Sequence, residues 1–542
     1  MKIFIIVGTR PEYIKLAPVY LEFQSLNKLA ENEDAENAEI RVQQQSSKGT
    51  VAERTSSRLR RTNDRSALGV HEDHEDDENA EIGVRQQSSK GTVAERTSSR
   101  LRRANDRSAL GVHEDHEDDE NAEIGVRQQC PRIIPEIKWV HTNQHDKSIL
   151  SDLLEFWEIR PDYEFSLINQ GLSLAELAAK LLTEADLLFR REKPDLIIVQ
   201  GDTLSAVQAA LAAFYNQIRV AHVEAGLRTV NKKSPFPEEL SRRIISQIAD
   251  YHFCPSEKVY RRLLEEKMVF KNIAIAQLNI DNPNLKLSLD LEEFAIANNI
   301  FNTGNTGIDA LFKAQSIINN KNLKLGNSTI LEKNSRNELR LDAKKYILIT
   351  SHRRENISNG FQATLCESIF QILQEQSREN LKKTETKFPK HCEETIEFTV
   401  CLHNNPQARE NFLELSEKLL PMNVSGLNLL ESVTYPRFIQ LMQNAFFIIT
   451  DSGGVQEEAA YLNKYTLIMR EEAERDEYLE QGLSERLSPD SKSIKLAIEN
   501  IISQLMNKNL LNNSQTEIED GKKYLYGNGD AAKKIVKAIT SF

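Results

Sequence analysis

No run of about 18 consecutive apolar residues occurs anywhere in this 542-residue chain, so no membrane span is expected. The start of the chain, MKIFIIVGTRPE, has only five apolar residues between Lys2 and Gly8, too few for the core of a secretory signal. Cysteine is scarce. Cys130, Cys254, Cys366, Cys392 and Cys401 are odd in number, scattered and without CxxC spacing, which argues against a disulfide framework and fits reduced thiols in a cytoplasmic protein. There is no long basic block, and the formal net charge is −12, so no nucleic-acid partner is expected.

The sharpest absence is local. From Glu36 to Gln129 the chain has no Phe, Tyr, Trp, Pro or Met. That stretch is a tandem repeat of 42 residues: ENAEI begins at Glu36, Glu78 and Glu120, and SSKGTVAERTSSRLRR begins at Ser46 and Ser88. Repeats of this length build solenoids when each unit has an apolar face to stack. These units carry too little apolar surface to offset chain entropy, and the near-identity of the copies points to a recent in-frame duplication. The reading is a disordered insertion outside the chemistry. His71, His74, His113 and His116 sit beside acids within it, but a metal site also needs fixed geometry and supporting hydrogen bonds, so no metal is expected there.

What remains alternates between strand and helix patterns. KIFIIV (2–7) is a short buried-strand run ended by Gly8, and Pro11 opens a helix from Glu12 to about Leu26. After the repeat come the strand IKWVHT (137–142), helices near 147–158 and 174–191, and the strand DLIIVQ ending at Gln200. A helical run from Leu204 to Ile218, the strand RVAHV, a helix from Leu240 to about Ile248, the strand YHFCPS and a helix in EKVYRRLLEEKM follow. Residues 270–300 are Asn-rich and weakly patterned, and IFNTGNT (300–306) reads as a domain boundary. Beyond a helix at 308–318 a second series begins. Its strands are YILIT, IEFTVCL, GLNLL, AFFIITD and YTLIM, with helices near 360–375, 408–420, 435–444 and 455–463. Such alternation predicts an α/β protein of two Rossmann-like domains, with parallel sheets facing a central cleft.

In open α/β sheets ligands bind outside the carboxyl ends of the strands. Three acids stand at or near such ends: Asp202 after DLIIVQ, Glu224 after RVAHV, and Glu238 after Pro235-Phe236-Pro237. Either they carry chemistry, or Asp202 is a helix cap and the other two are solvated loop acids. In the second series, Thr450-Asp451 ends a strand, and Ser452-Gly453-Gly454 precedes a helix. Unpaired N–H groups at such a start suit an anion, the plainer alternative being an N-cap at Asp451 or Ser452 with glycines for close packing. Ser351-His352-Arg353-Arg354 follows the first strand of that series, in the place that Gly8-Thr9-Arg10-Pro11-Glu12 holds in the first; Arg10 and Lys15 could reach the cleft, and His with Arg suits a phosphate or sugar.

Taken together, GTRPE with Lys15, QGDT (200–203), HVEAGLRT (222–229), PFPEE (235–239), TGNT (303–306), HRREN (352–356), DSGGVQEEA (451–459) and YGNGDA (526–531) closely resemble the motifs of non-hydrolysing UDP-N-acetylglucosamine 2-epimerases, in family order. The resemblance implies a glycosyltransferase-B-type fold: residues 1–29 and 131–306 as the first domain, 30–130 as the insertion, 307–525 as a UDP-binding domain, and 526–542 as a helix returning to the first domain. It implies elimination and re-addition of UDP without NAD or metal, in a homodimer. Asp202, Glu224 and Glu238 carry over as acid/base candidates, the division among them open. His352, Arg10 and the 452–454 turn would stabilise the departing UDP, with Lys15 beside them. By motif position Glu458 would meet the ribose hydroxyls, Arg475 the phosphates and Phe438 the uracil. The chain departs from the family pattern at Ala473-Glu474-Arg475-Asp476-Glu477, at Ser241, Asp146 and Leu172, and at Leu462-Asn463-Lys464-Tyr465-Thr466. The hydrolysing relatives differ at GTRPE and DSGG, where this chain follows the non-hydrolysing pattern; a glycosyltransferase or an inactive sugar-nucleotide binder are the other readings.

Overall fold

The computed structural model describes residues 1–31, 134–144, 147–167, 171–229, 231–233, 235–268, 295–320, 345–385, 396–403, 405–431, 433–470, 477–511 and 524–541. The repeat insertion, most of the Asn-rich stretch and Arg475 lie outside the described residues.

Among the described residues the first half holds seven parallel strands: β1 (Lys2–Val7), β2 (Glu136–His141), β3 (Tyr163–Glu164), β4 (Leu196–Gln200), β5 (Arg219–Val223), β6 (Tyr251–Cys254) and β7 (Ile300–Asn302). Their order in the sheet is β3-β2-β1-β4-β5-β6-β7. The second half holds six, β8 (Tyr346–Thr350), β9 (Glu397–Cys401), β10 (Leu427–Leu430), β11 (Phe447–Thr450), β12 (Thr466–Ile468) and β13 (Ser484–Arg486), in the order β10-β9-β8-β11-β12-β13. All pairings are parallel. Two doubly wound sheets result, as the alternation predicts.

The sequence of β1 explains its place. Side chains alternate between the two faces of a strand, and a strand covered on both faces reads as a continuous apolar run. Ile3, Ile5 and Val7 accordingly enter one core with Tyr13, Leu16 and Trp139. Phe4 and Ile6 enter another with Phe189, Ala206 and Ala210. In β8, Tyr346 and Leu348 join the first of these cores, and Ile347 and Ile349 join a third with Phe398 and Phe447.

Several boundaries differ from expectation. Residues 300–302, at the start of the stretch expected to be a domain boundary, form the edge strand β7, paired with β6; three residues are too few to show a strand period. The two-residue β3 and the strand β13 carry no clear apolar signal; the helix Ser491–Leu511, not among the expected elements, does carry one, with Ile494, Ile498 and Ile501 buried at helical spacing. The helix expected near 360–375 runs over Phe361–Glu385, well past 375, and a short helix, Arg354–Ser358, precedes it. The last helix, Ala531–Thr540, is capped by Asp309, whose carboxylate accepts from the N–H groups of Ala531 and Ala532.

In each sheet the winding reverses at its first strand, between β1 and β4 in the first half and between β8 and β11 in the second. A crevice opens at the carboxyl ends of such strands. The turns that follow β1, β4, β8 and β11 carry GTRPE, QGDT, SHRREN and DSGG. Thr350 and Thr450 pin the second of these points, their hydroxyls 2.6 Å apart and buried.

Candidate active site

Glu12 ties the first crevice together. One carboxylate oxygen accepts from the N–H groups of Gly8 (2.9 Å) and Thr9 (2.8 Å) and from the Thr9 hydroxyl, and the other accepts from the Thr203 hydroxyl at 2.5 Å. The turn after β1 is thereby fastened to the turn after β4. Burial pushes the Glu12 carboxyl up to about 7, against the pull of these four donors. Gly8 must be glycine because a Cβ there would overlap the Ser205 and Thr142 hydroxyls.

Asp202 is not the cap of the following helix. Thr203 is, its side chain accepting from the Ala206 N–H. Asp202 instead receives Arg242 Nη2 at 2.5 Å, from the helix Glu238–Ile248. Glu224 is equally far from a solvated loop acid. It is 9% exposed, has a left-handed backbone with φ of 65°, accepts from Lys15 Nζ at 2.5 Å through Oε1 and from the Gln200 amide through Oε2. Glu238 opens its helix rather than lying in a loop. Burial raises its carboxyl above the usual range; its own N–H opposes this, the Asp202 charge adds to it, and Arg353 and Arg242 oppose it. Its Oε2 is buried without a hydrogen-bond partner. Arg353 follows β8, so its charge acts on Glu238 from the second half.

Across the crevice Asp451 is the hub. Its Oδ2 accepts from the N–H groups of His352 (2.9 Å) and Arg353 (3.0 Å), from the Ser351 hydroxyl and from the Asn356 amide, while Oδ1 lies 3.0 Å from His352 Nδ1. Burial alone would raise this carboxyl; the His352 ring and the two amides outweigh it and hold it at about 2. With Nδ1 turned to Asp451, His352 keeps Nε2 for a ligand. The ring is 39% exposed and stacks on His403 at 5.3 Å. Ser452 caps the helix Gly453–Tyr461 without a side-chain bond, and a Cβ on Gly454 would meet nothing within 4 Å. Packing therefore does not require a glycine at 454, and a helix start of this kind suits an anion.

Arg10 spans the halves, donating to the Val433 carbonyl at 3.1 Å and lying 3.5 Å from Asp152. Glu458 is buried beside Tyr435. Burial, then the charge of Glu457, push it up to about 8. Phe438 packs half-buried on the helix Tyr435–Asn444.

A family model described as UDP-N-acetylglucosamine 2-epimerase matches residues 132–540. The chain is 34% identical over 408 residues to a UDP-N-acetylglucosamine 2-epimerase of Campylobacter jejuni, spanning 73% of this chain and 88% of that one. It is 35% identical over 407 residues to that of Salmonella borreze, spanning 75% and 91%. The chain belongs to the UDP-N-acetylglucosamine 2-epimerase family. Its fold is shared with the Neisseria meningitidis UDP-GlcNAc 2-epimerase bound to UDP-GlcNAc (TM-score 0.61, 24% identity, all of both chains). It is shared also with the Methanocaldococcus jannaschii UDP-GlcNAc 2-epimerase in complex with UDP-GlcNAc and UDP (TM-score 0.58, 23% identity, all of both chains).

Within this epimerase fold the residues singled out by motif lie on the turns and helices that follow the strands, Arg10, Lys15, Asp202, Glu224 and Glu238 in the first half, His352, Ser452–Gly454 and Glu458 in the second; Arg10 reaches the Val433 carbonyl and Lys15 comes within 3.9 Å of Glu457. Two residues that matter to the geometry escape a reading of the sequence. Glu12 looks like a first-turn acid, and Asp451 like a cap, because Thr203 stands 191 residues from the one and the partners of the other stand 95 to 100 residues away. Arg228 of HVEAGLRT has a structural task, forking onto Glu266 at 2.8 and 3.0 Å. His222 of the same motif binds the Gly201 carbonyl at 2.7 Å, and burial lowers it to about 4, so it stays neutral and holds the QGDT turn.

Proposed function

We propose that this chain interconverts UDP-N-acetylglucosamine and UDP-N-acetylmannosamine, with Asp202 as the base, Glu238 as the opposing acid and Glu224 as a held charge beside them. The observation that carries the reading is the unequal surroundings of the acids: Asp202 is a carboxylate paired with Arg242, whereas burial lets Glu238 keep its proton to higher pH. A two-face exchange at one carbon needs one group to take a proton and another to give one.

Asp202 takes the proton from C2. The C2–H electron pair becomes the C1=C2 double bond, and the C1–O bond breaks with its electrons leaving on UDP. Arg10, His352 Nε2 and the 452–454 backbone meet the charge that develops on the departing diphosphate. UDP then adds back to C1 while Glu238 protonates C2 from the other face. Nothing is oxidised. After one turnover Asp202 holds a proton and Glu238 lacks one, so the site resets by exchange with water. Glu458, Arg475 and Phe438 are assigned to ribose, phosphate and uracil.

Incubation with UDP-N-acetylglucosamine in deuterated water, followed by NMR, tests this. The expected result is deuterium at C2 and growth of the manno isomer; stoichiometric release of free UDP would mean the hydrolysing reaction instead. The same reading makes the working protein a cytoplasmic homodimer with no nucleic-acid partner. Among the described residues no helix is long and apolar enough to cross a membrane, and light scattering on a size-exclusion column reads the assembly.

A further inference from the structure

Glu457 is buried, adjacent to Glu458 and unused in the scheme above. It is 1% exposed, and leaving a carboxylate in the interior is costly unless it is paired and hydrogen-bonded. Its partners are informative. Glu457 Oε2 accepts from Asn305 Nδ2 at 2.6 Å and lies 3.9 Å from Lys15 Nζ. Lys15 is the same ammonium that holds Glu224 at 2.5 Å. Asn305 is fixed in turn, its N–H donating to the Tyr526 carbonyl at 2.8 Å and its Oδ1 accepting from the Gly307 N–H at 2.8 Å.

We propose that Glu457 is a positioning residue that acts on Glu224 through Lys15. The ammonium is shared by two carboxylates, one from each half, so Glu457 sets both where Lys15 stands and how much of its charge falls on Glu224. In a buried setting a full charge at 3.9 Å is not screened away. Glu457 is also one residue from Glu458, the group assigned to the ribose. Nucleotide seated in the second half therefore bears on the helix that carries Glu457, and through Lys15 on an acid of the first half. The titratable groups that bear on these two acids besides Lys15 include Glu458, Tyr461 and Tyr478 at Glu457 and His222 at Glu224, with Asn305 and Gln200 as neutral hydrogen-bond partners. This inference rests on the epimerase reading.

Glu457→Gln is the test, because an amide oxygen can still accept from Asn305 while the charge is gone. Expected are a kcat lowered about 10- to 100-fold, a UDP dissociation constant within threefold of wild type, and a pH–kcat profile moved to lower pH by half a unit or more. The direction follows from Coulomb's law: without Glu457 the whole Lys15 charge stabilises the Glu224 carboxylate. Glu457→Asp, which keeps the charge, should restore the profile even where kcat stays low. Unchanged kcat and profile would overturn the proposal, as would weaker UDP binding at unchanged kcat. If Glu457→Gln does not fold, Glu457→Asp decides: a wild-type kcat despite the shortened arm would count against it. A wild-type chain that fails to epimerise would instead remove the functional reading on which the relay depends.

Discussion

Asp202, Glu224 and Glu238 carry one functional group, a carboxyl, in three surroundings, and the surroundings decide what each can do. Removing the carboxylate from Asp202 while keeping its shape should therefore strike catalysis and spare binding. Asp202→Asn is expected to lower kcat by roughly 10²–10⁴-fold, the usual worth of a positioned base, with UDP affinity unchanged by titration calorimetry. Glu458 makes a different prediction. Its carboxyl is raised from an ordinary 4.5 to about 8, so between those values the folded chain binds a proton that the unfolded chain has lost. Stability from this group is fully present below about 4.5 and is lost as pH rises through 8. In Glu458→Gln, the fall in unfolding free energy between pH 5.5 and 7.5 should be smaller than in wild type by about 2 kcal/mol, read by denaturant titration without ligand.

At the scale of elements, strands were legible where they are long and covered on both faces. KIFIIV, YILIT and RVAHV emerge within a residue or so of their observed limits because each is short and rich in β-branched residues, which favours a strand over a buried helix segment. Boundaries failed where tertiary pairing, not local pattern, makes the element. Ile300–Asn302 is a strand because β6 lies beside it, and Glu12 is a clamp because the Thr203 hydroxyl reaches it. Phase and turn chemistry can be read from one stretch; a partner some 190 residues distant cannot. The same distance effect governs the last helix. Its first N–H groups are capped by Asp309, which burial pushes up to about 6. Asp309→Ala should destabilise the chain by about 1–2 kcal/mol, visible as a lower denaturation midpoint with the epimerase kcat of the folded fraction retained.

At the scale of the whole molecule, the three longest segments outside the described residues, 32–133, 269–294 and 321–344, each stand on the way from a helix to a strand. In a parallel sheet the helix-to-strand passages turn at the amino ends of the strands, and the strand-to-helix turns lie at the carboxyl ends. The acids, the histidine and the glycine turn all belong to the second kind. Deleting 36–129 is therefore expected to leave kcat within about twofold of wild type, measured as manno isomer formed per folded chain; loss of turnover would refute it. A doubly wound sheet has a working rim and an idle rim, and the described residues on either side of the duplicated stretch, Glu31 and Ile134, belong to a helix-to-strand passage. A duplication that adds 42 residues at a time could persist there without touching the reaction, whereas the same event after β1, β4, β8 or β11 would part the very turns that Glu12 and Asp451 hold together.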